Sequence, residues 1–147
     1  MKRLSTSLAL LLLAAPALAG PKIGVSLPTQ REERWVRDRQ VMEAAAKKAG
    51  AELEIAVADN DATKQAAQCD ALIAKGVKVL VLAPHDGAAA AAIVDRATRA
   101  GVRVISYDRL VTNSPQDYLY LSFDNTRVGE LQAEWLVRKA PKGSWVV

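Results

Sequence analysis

The chain has 147 residues, which is the size of a single domain with an ordinary hydrophobic core. Two of its 20 basic residues, Lys2 and Arg3, lie in the first segment, which leaves 18 bases against 16 acids elsewhere. These bases are scattered among the acids and form no basic stripe, so the composition gives no footprint for nucleic acid. Cys69 is the only cysteine, which excludes an internal disulfide and leaves no Cys/His cluster for a metal ion.

The first nineteen residues read as a targeting segment and are set apart from the fold. A positive start at Lys2 and Arg3 is followed by an apolar run over 8–15 and by small residues at 17–19. This order is typical of a secretory signal peptide, which predicts an exported mature protein that begins at Gly20. An uncleaved membrane anchor is the alternative, but the run is shorter than the roughly 20 apolar residues that a membrane span needs.

From residue 22 the sequence alternates between apolar runs and amphipathic stretches. Each of the three amphipathic stretches is followed at once by a glycine, a residue common just beyond helix ends. The predicted strands are 23–27, 52–58, 77–83 and 102–107, and the predicted helices are 34–49, 63–75 and 88–100. The runs 79–82 and 102–105 show little alternation, as strands covered on both faces do. The pattern predicts an α/β fold, a doubly wound and mostly parallel sheet with helices on both faces.

After residue 109 the regular alternation of predicted strands and helices ends. A polar connection over 111–117 leads to an extended segment over 118–123, and Asp124 or Asn125 caps a helix that runs to about residue 139. A turn over 141–143 then precedes a strand that begins at 144. That strand would need partners from outside the predicted sheet.

Ligands of open parallel sheets bind outside the carboxyl ends of the strands, so the residues directly after each strand are the candidates for a binding site. They include carboxylates, guanidinium groups and one indole ring, a set that suits the hydroxyl groups and the C–H face of a neutral polyol. The sequence has no G-x-G-x-x-G turn after the first strand, no phosphate-binding loop and no G-x-S-x-G elbow. We therefore expect no cofactor, no metal ion and no enzymatic activity. The candidates are residues 28–35, 59–61, 84–86 and 108–109.

Most of these candidates have a plain structural explanation. Asp86 precedes Gly87 and an Ala-rich helix, so it fits a helix N-cap better than a ligand contact. Residues 59–61 fit a cap and turn, and His85 is interpreted as a histidine at the rim. A solvated helix face accounts for Arg31, Arg37 and Arg39.

Trp35, Asp108 and Arg109 are harder to explain in this way. Trp35 is either a core residue of the first helix or a stacking platform for a ligand. Asp108 and Arg109 follow a buried strand directly, and neighbours along an extended chain point to opposite sides, which is poor geometry for an ion pair. We expect both at the mouth of the cleft.

Several of the same segments resemble a known family. DND at 59–61, LIAKGVKVLVLAPHD at 72–86, AGVRVISYDR at 100–109 and GELQA at 129–133 are similar to the ribose-type periplasmic sugar-binding proteins. REERW at 31–35, together with YDR at 107–109 and SFDN at 122–125, resembles the D-xylose receptors of ABC importers within that family. The resemblance extends from residue 22 to residue 147.

The resemblance implies two α/β lobes that close on one monosaccharide, D-xylose, and deliver it to a membrane ABC permease. It implies that Arg34, Asp108 and Arg109 contact the sugar, and Trp35 matches the same motif. On this basis residues 20–147 are the N-terminal lobe of a periplasmic protein whose second lobe is absent from the chain. A lone lobe would leave one face of the sugar exposed to water, so we expect weak binding or none, together with marginal stability or self-association.

Three other functions occur on related α/β folds. A sugar-sensing subunit for a membrane histidine kinase or chemoreceptor would use the same fold, and the sequence does not separate it from a transport receptor. A small flavodoxin-like enzyme is disfavoured, since phosphate loop and nucleophile–base pair are both missing. A sugar-responsive transcription regulator is excluded, because an export signal stands where its helix-turn-helix would be.

Overall fold

The computed structural model describes residues 20–115 and 118–144. The predicted signal peptide at 1–19 lies outside the described residues, and so does most of the strand predicted from 144. The elements in chain order are β1 (Lys22–Leu27), α1 (Glu33–Ala49), β2 (Glu52–Val57), α2 (Ala62–Ala74), β3 (Val79–Leu82), α3 (Ala91–Arg99), β4 (Arg103–Tyr107), β5 (Leu119–Leu121) and α4 (Asn125–Lys139).

The strands form one five-stranded sheet in the order β2-β1-β3-β4-β5, and every neighbouring pair is parallel. This confirms the predicted α/β class. The chain leaves β1 toward one edge of the sheet and then returns to build β3 on its other side. The carboxyl ends of β1 and β3 therefore flank the switch point at which ligands bind in open α/β sheets.

Two clusters of buried side chains cover the two faces of the sheet. On one face, α2 and α3 pack against Leu80, Leu82 and Val104. On the other face, Trp35 of α1 packs against Val25 of β1 and its neighbours. Because successive side chains of a strand point to opposite faces, β3 contributes to both clusters, as its unbroken apolar sequence predicts.

Capping groups fix where the helices begin and end. Asp61 is the N-cap of α2 and accepts a hydrogen bond from the backbone N–H of Lys64 at 2.9 Å, as predicted for the 59–61 segment. Asp86 accepts from the N–H groups of Ala88 and Ala89, at 2.8 and 2.9 Å, and these bonds lower the pKa of its carboxyl group. They cap a turn over 88–90, so α3 starts three residues later than predicted, at Ala91.

The part of the chain after β4 is much more exposed. The extended segment predicted over 118–123 pairs with β4 only at Leu119–Leu121, and all three of these residues are exposed. The helix α4 follows with Asp124 as its N-cap, and it has no buried residue. Among the described residues, no helix is both long enough and apolar enough to cross a membrane.

Candidate functional site

The candidate site lies where the carboxyl ends of three adjacent strands meet. β1, β3 and β4 are neighbours in the sheet, so the segments that follow them converge at one edge. These segments are residues 28–35, 83–86 and 107–109. The structure brings all four predicted contact residues, Arg34, Trp35, Asp108 and Arg109, to this edge.

Trp35 forms the floor of the site. Its side chain is 2% exposed and packs against Val25, Leu27 and Ala83, so it belongs to the core. The guanidinium carbon of Arg34 lies 4.4 Å from the centre of the indole ring, and that of Arg109 lies 5.5 Å from it, both within cation–π range. A ligand would reach the ring only if a guanidinium group moved, and a stacking contact with Trp35 stays a prediction.

Arg34 is held by acids above this floor. Its guanidinium group pairs with the Asp108 carboxylate at 2.8 Å and with Asp38 at 3.4 Å. Partial burial lowers the pKa of Arg34, but the bonds to Asp108 and then Asp38 outweigh burial, so the net shift is upward. Arg34 is therefore a fixed positive charge that already carries a carboxylate partner.

Asp108 and Arg109 leave β4 in a tight turn. The N–H of Arg109 donates to the carbonyl of Tyr107 at 2.7 Å, and Asp108 between them has φ of +63°. The two charged side chains do not pair with each other, as predicted, although the chain at Asp108 is turned and not extended. Asp108 pairs with Arg34, whereas Arg109 donates to the carbonyl of Pro84 at 3.4 Å.

Gln65, which is not among the predicted candidates, lies under the site on α2 and is 1% exposed. Its amide nitrogen donates to Ser26 Oγ at 3.1 Å and to the Ala83 carbonyl at 2.9 Å, and its amide oxygen accepts from the N–H of His85 at 2.8 Å. The sequence does contain a pattern that indicates the burial of Gln65. Gln65 shares the helix spacing of the buried Cys69 and Leu72, which marks a polar residue on a core-facing position.

Two more neighbours of the site were not singled out. Asp38, one turn after Arg34 on α1, supplies its second acid and also acts on Tyr107. Burial raises the pKa of the Tyr107 hydroxyl, and the charge and hydrogen bond of Asp38 add to this rise. Phe123 is exposed, and its ring centre lies 5.8 Å from the Arg34 guanidinium carbon. Only the fold shows that Asp38 and Phe123 lie beside Arg34.

The remaining candidates have the structural roles that were predicted for them from the sequence. His85 is exposed at the rim, and Arg37 and Arg39 form exposed ion pairs with Glu33 and Glu43. Cys69 is fully buried on α2, and burial raises the pKa of its thiol to about 11, as expected for an inert thiol. Over 20–115 and 118–144, no group of three or more His, Cys, Asp or Glu side chains is arranged to hold a metal ion.

The arrangement combines two guanidinium donors and one carboxylate acceptor over an apolar floor. Such groups can hydrogen-bond the hydroxyls of a neutral polyol from one side, since a hydroxyl both donates and accepts. The three groups are also compensated without a ligand, because Arg34 and Asp108 pair with each other and Arg109 has a carbonyl partner. All three charged groups of the site therefore have partners within the chain.

Comparison with known proteins gives a consistent result. A family model described as a periplasmic binding protein domain matches residues 23–147. The D-xylose-binding periplasmic protein of Haemophilus influenzae is 39% identical over 84% of this chain and 37% of its own length. A multiple sugar-binding periplasmic receptor of Rhizobium radiobacter is 38% identical over 84% of this chain and 35% of its own length.

A solved structure agrees with these relatives. A carbohydrate transporter solute-binding protein from Chloroflexus aurantiacus, in complex with D-glucose, is 44% identical with a TM-score of 0.75. The match covers 83% of this chain and 36% of that protein. This chain thus spans between a third and two fifths of the length of the proteins that it matches here.

Proposed function

Because this chain belongs to the periplasmic binding protein family, we propose that it is part of the sugar-binding component of an ABC importer and is not an enzyme. The observation that carries the proposal is the group formed by Arg34, Asp108 and Arg109 over the Trp35 ring. Charged donors and acceptors converge there at the switch point of a parallel sheet, beside an apolar surface. The site supplies polar groups that suit the recognition of a polar ligand.

We propose D-xylose, a pentose, as the ligand. The 31–35 segment supports this choice, and one relative at 39% identity is named for that sugar. Other relatives are named for several sugars or hold D-glucose, so the ligand class is a monosaccharide and D-xylose is the finer proposal.

The roles of the side chains follow from their chemistry. Arg34 and Arg109 would donate to sugar hydroxyl oxygens, and Asp108 would accept from sugar hydroxyl groups. Hydrogen bonds that involve a charged partner are roughly twice as strong as neutral ones, so three such groups give both affinity and orientation. Trp35 would add an apolar face if the sugar displaces one of the guanidinium groups that cover it.

The protein would work outside the cytoplasm together with a membrane permease. Residues 1–19 would act as a cleaved signal peptide and residues 20–147 as the N-terminal lobe. A second lobe, outside this chain, would close over the sugar. Enclosure between two jaws is the usual source of affinity in such sites, because ligand pockets bury most of the ligand surface.

The test is calorimetric titration of the native-length protein, purified after export, with D-xylose, D-glucose, D-ribose and myo-inositol. We expect D-xylose to bind most tightly and Arg109→Ala to weaken its binding by about 100-fold, since a hydrogen bond to a charged group contributes about 1.5–3 kcal/mol. Arg37→Ala removes an exposed arginine of α1 and serves as the matched control, with affinity unchanged.

Three outcomes separately test the proposed sugar, the proposed function and the proposed location of the site. Preference for another sugar would replace D-xylose and keep the class, whereas binding of none of the sugars would overturn the function. An equal loss of affinity in Arg109→Ala and Arg37→Ala would contradict the placement of the binding site at this edge of the sheet.

A further inference from the structure

The turn that carries Asp108 has an unusual backbone. The bond from Arg109 N–H to the Tyr107 carbonyl closes a three-residue γ-turn, and Asp108 at its centre has φ of +63°. A γ-turn with positive φ is rare and strained, although aspartate tolerates this region better than most residues. Such a conformation persists only where the surroundings hold it, and it often marks a functional position.

The surroundings that hold it come from one short stretch of chain, residues 120–122. The N–H of Asp108 donates to the carbonyl of Leu121 at 2.8 Å. The carbonyl of Asp108 accepts two hydrogen bonds, from Ser122 Oγ at 2.9 Å and from the Tyr120 hydroxyl at 3.1 Å. Both polar groups of the Asp108 backbone are thus satisfied by β5 and the residue after it.

We propose that Ser122 and Tyr120 are positioning residues, which hold Asp108 in its left-handed turn and so direct its carboxylate to the site. This inference rests on the proposed function, in which that carboxylate binds the sugar. The carboxylate lies 2.8 Å from Arg34, and its side chain is 13% exposed. A relaxed, extended backbone at Asp108 would turn the carboxylate away from Arg34, because φ sets the direction of the side chain.

The two hydroxyl groups serve the turn and not the core. Tyr120 is 41% exposed and Ser122 is half-buried, and β5 buries none of its residues. Removing either hydroxyl leaves no cavity in the packed part of the sheet. The effect of such a change is therefore expected on the geometry of Asp108 and on binding, with little effect on the free energy of unfolding.

The experiment compares Ser122→Ala, Tyr120→Phe and the double variant in the native-length protein by calorimetry with D-xylose. We expect each single variant to lose about 10-fold in affinity and the double variant more, while Ser122→Thr keeps the hydroxyl and restores binding. Tyr118→Phe is the matched control. It removes the same group from a bond to the Val111 carbonyl, and its affinity should match the wild type.

A second measurement needs no sugar. The three-bond coupling between the amide and α protons of Asp108 reports φ, and we expect it to change in the double variant but not in Tyr118→Phe. An unchanged coupling, or unchanged affinity in the double variant, would overturn the inference. If the wild type binds no sugar, the proposed function fails, and the coupling still decides whether Ser122 and Tyr120 hold the turn.

Discussion

Gln65 joins parts of the site that are far apart in the chain. Its amide group connects Ser26 on β1 with Ala83 and His85 after β3, and all three bonds lie in or at the edge of the core. Arg109 donates to the carbonyl of Pro84, so the peptide between Pro84 and His85 is held from two sides. The buried amide therefore fixes the loop on which the binding face rests.

Replacement of Gln65 by Ala should lower the free energy of unfolding by about 2–4 kcal/mol, because each buried polar group left unpaired costs about 1–3 kcal/mol. The matched control is Gln68→Ala, one helical turn away, where only a bond to the Val57 carbonyl is lost and the amide oxygen has no protein partner in the described part of the chain. Urea unfolding measures both variants. Equal losses would contradict a special contribution from the three bonds of Gln65.

The sequence reveals the charged members of the site more readily than their arrangement. Asp108 and Arg109 follow β4 directly and Arg34 lies at the start of α1, and these placements are readable from apolar runs and from the family resemblance. The turn at Asp108 is not readable, because its φ depends on hydrogen bonds from residues 12 to 14 positions further along the chain. Trp35 stayed ambiguous for a related reason, since only tertiary packing shows that its ring is covered.

At the scale of elements, local signals predict the helices and strands, and tertiary pairing shifts their ends. The sequence predicts β3 over 77–83, whereas the strand spans Val79–Leu82, because the N–H of Val77 still bonds to the carbonyl of Leu72 in α2. The strand order was not predicted. Apolar strands covered on both faces look alike in sequence, so nothing local tells which of them are neighbours.

The turn before α3 gives the protein a pH-dependent element. Bonds from the N–H groups of Ala89 and Ala88 lower the pKa of the Asp86 carboxyl group below its ordinary value of 3.8. A carboxyl group with a lowered pKa in the folded state stabilises the protein above its unfolded pKa, and this contribution disappears as the pH falls through the folded value. Asp86 should therefore stabilise the turn fully at pH 5 and above.

Comparison of the wild type with Asp86→Asn tests this expectation. Between pH 6 and pH 2.5, the wild type should unfold at a higher urea concentration than Asp86→Asn at the higher pH values. This difference in urea midpoint should shrink below about pH 4. The neutral amide of Asn does not titrate, so the other carboxyl groups contribute equally to both proteins. A difference that stays constant with pH would show that Asp86 acts without its charge.

At the scale of the whole molecule, the β5 edge of the sheet and the helix that follows it are exposed. Leu119, Leu121 and Phe123 are exposed, and α4 exposes Leu131 and Trp135. An apolar groove also runs beside α1, lined in part by Val41, Met42 and Leu121. Large exposed apolar surfaces often mark sites of contact with another protein or domain.

Residues 20–147 alone should therefore bind D-xylose at least about 100-fold more weakly than the native-length protein. Ligand sites usually bury about 70–90% of the ligand, and one jaw that offers Arg34, Asp108 and Arg109 leaves the far face of the sugar in water. Calorimetry on both proteins measures the difference. Circular dichroism verifies that the short protein is folded, and sedimentation measures whether its exposed apolar surface drives self-association.

Equal affinities of the short and the native-length protein would contradict enclosure of the sugar between two lobes. They would assign the whole site to this lobe. In that case Arg109→Ala should weaken binding in the short protein by the same factor as in the long one. Weak binding that Arg109→Ala reduces further would instead show that the three charged groups contact the sugar from one side. Affinity would then come from enclosure by the second lobe, because water competes with every open face of the ligand.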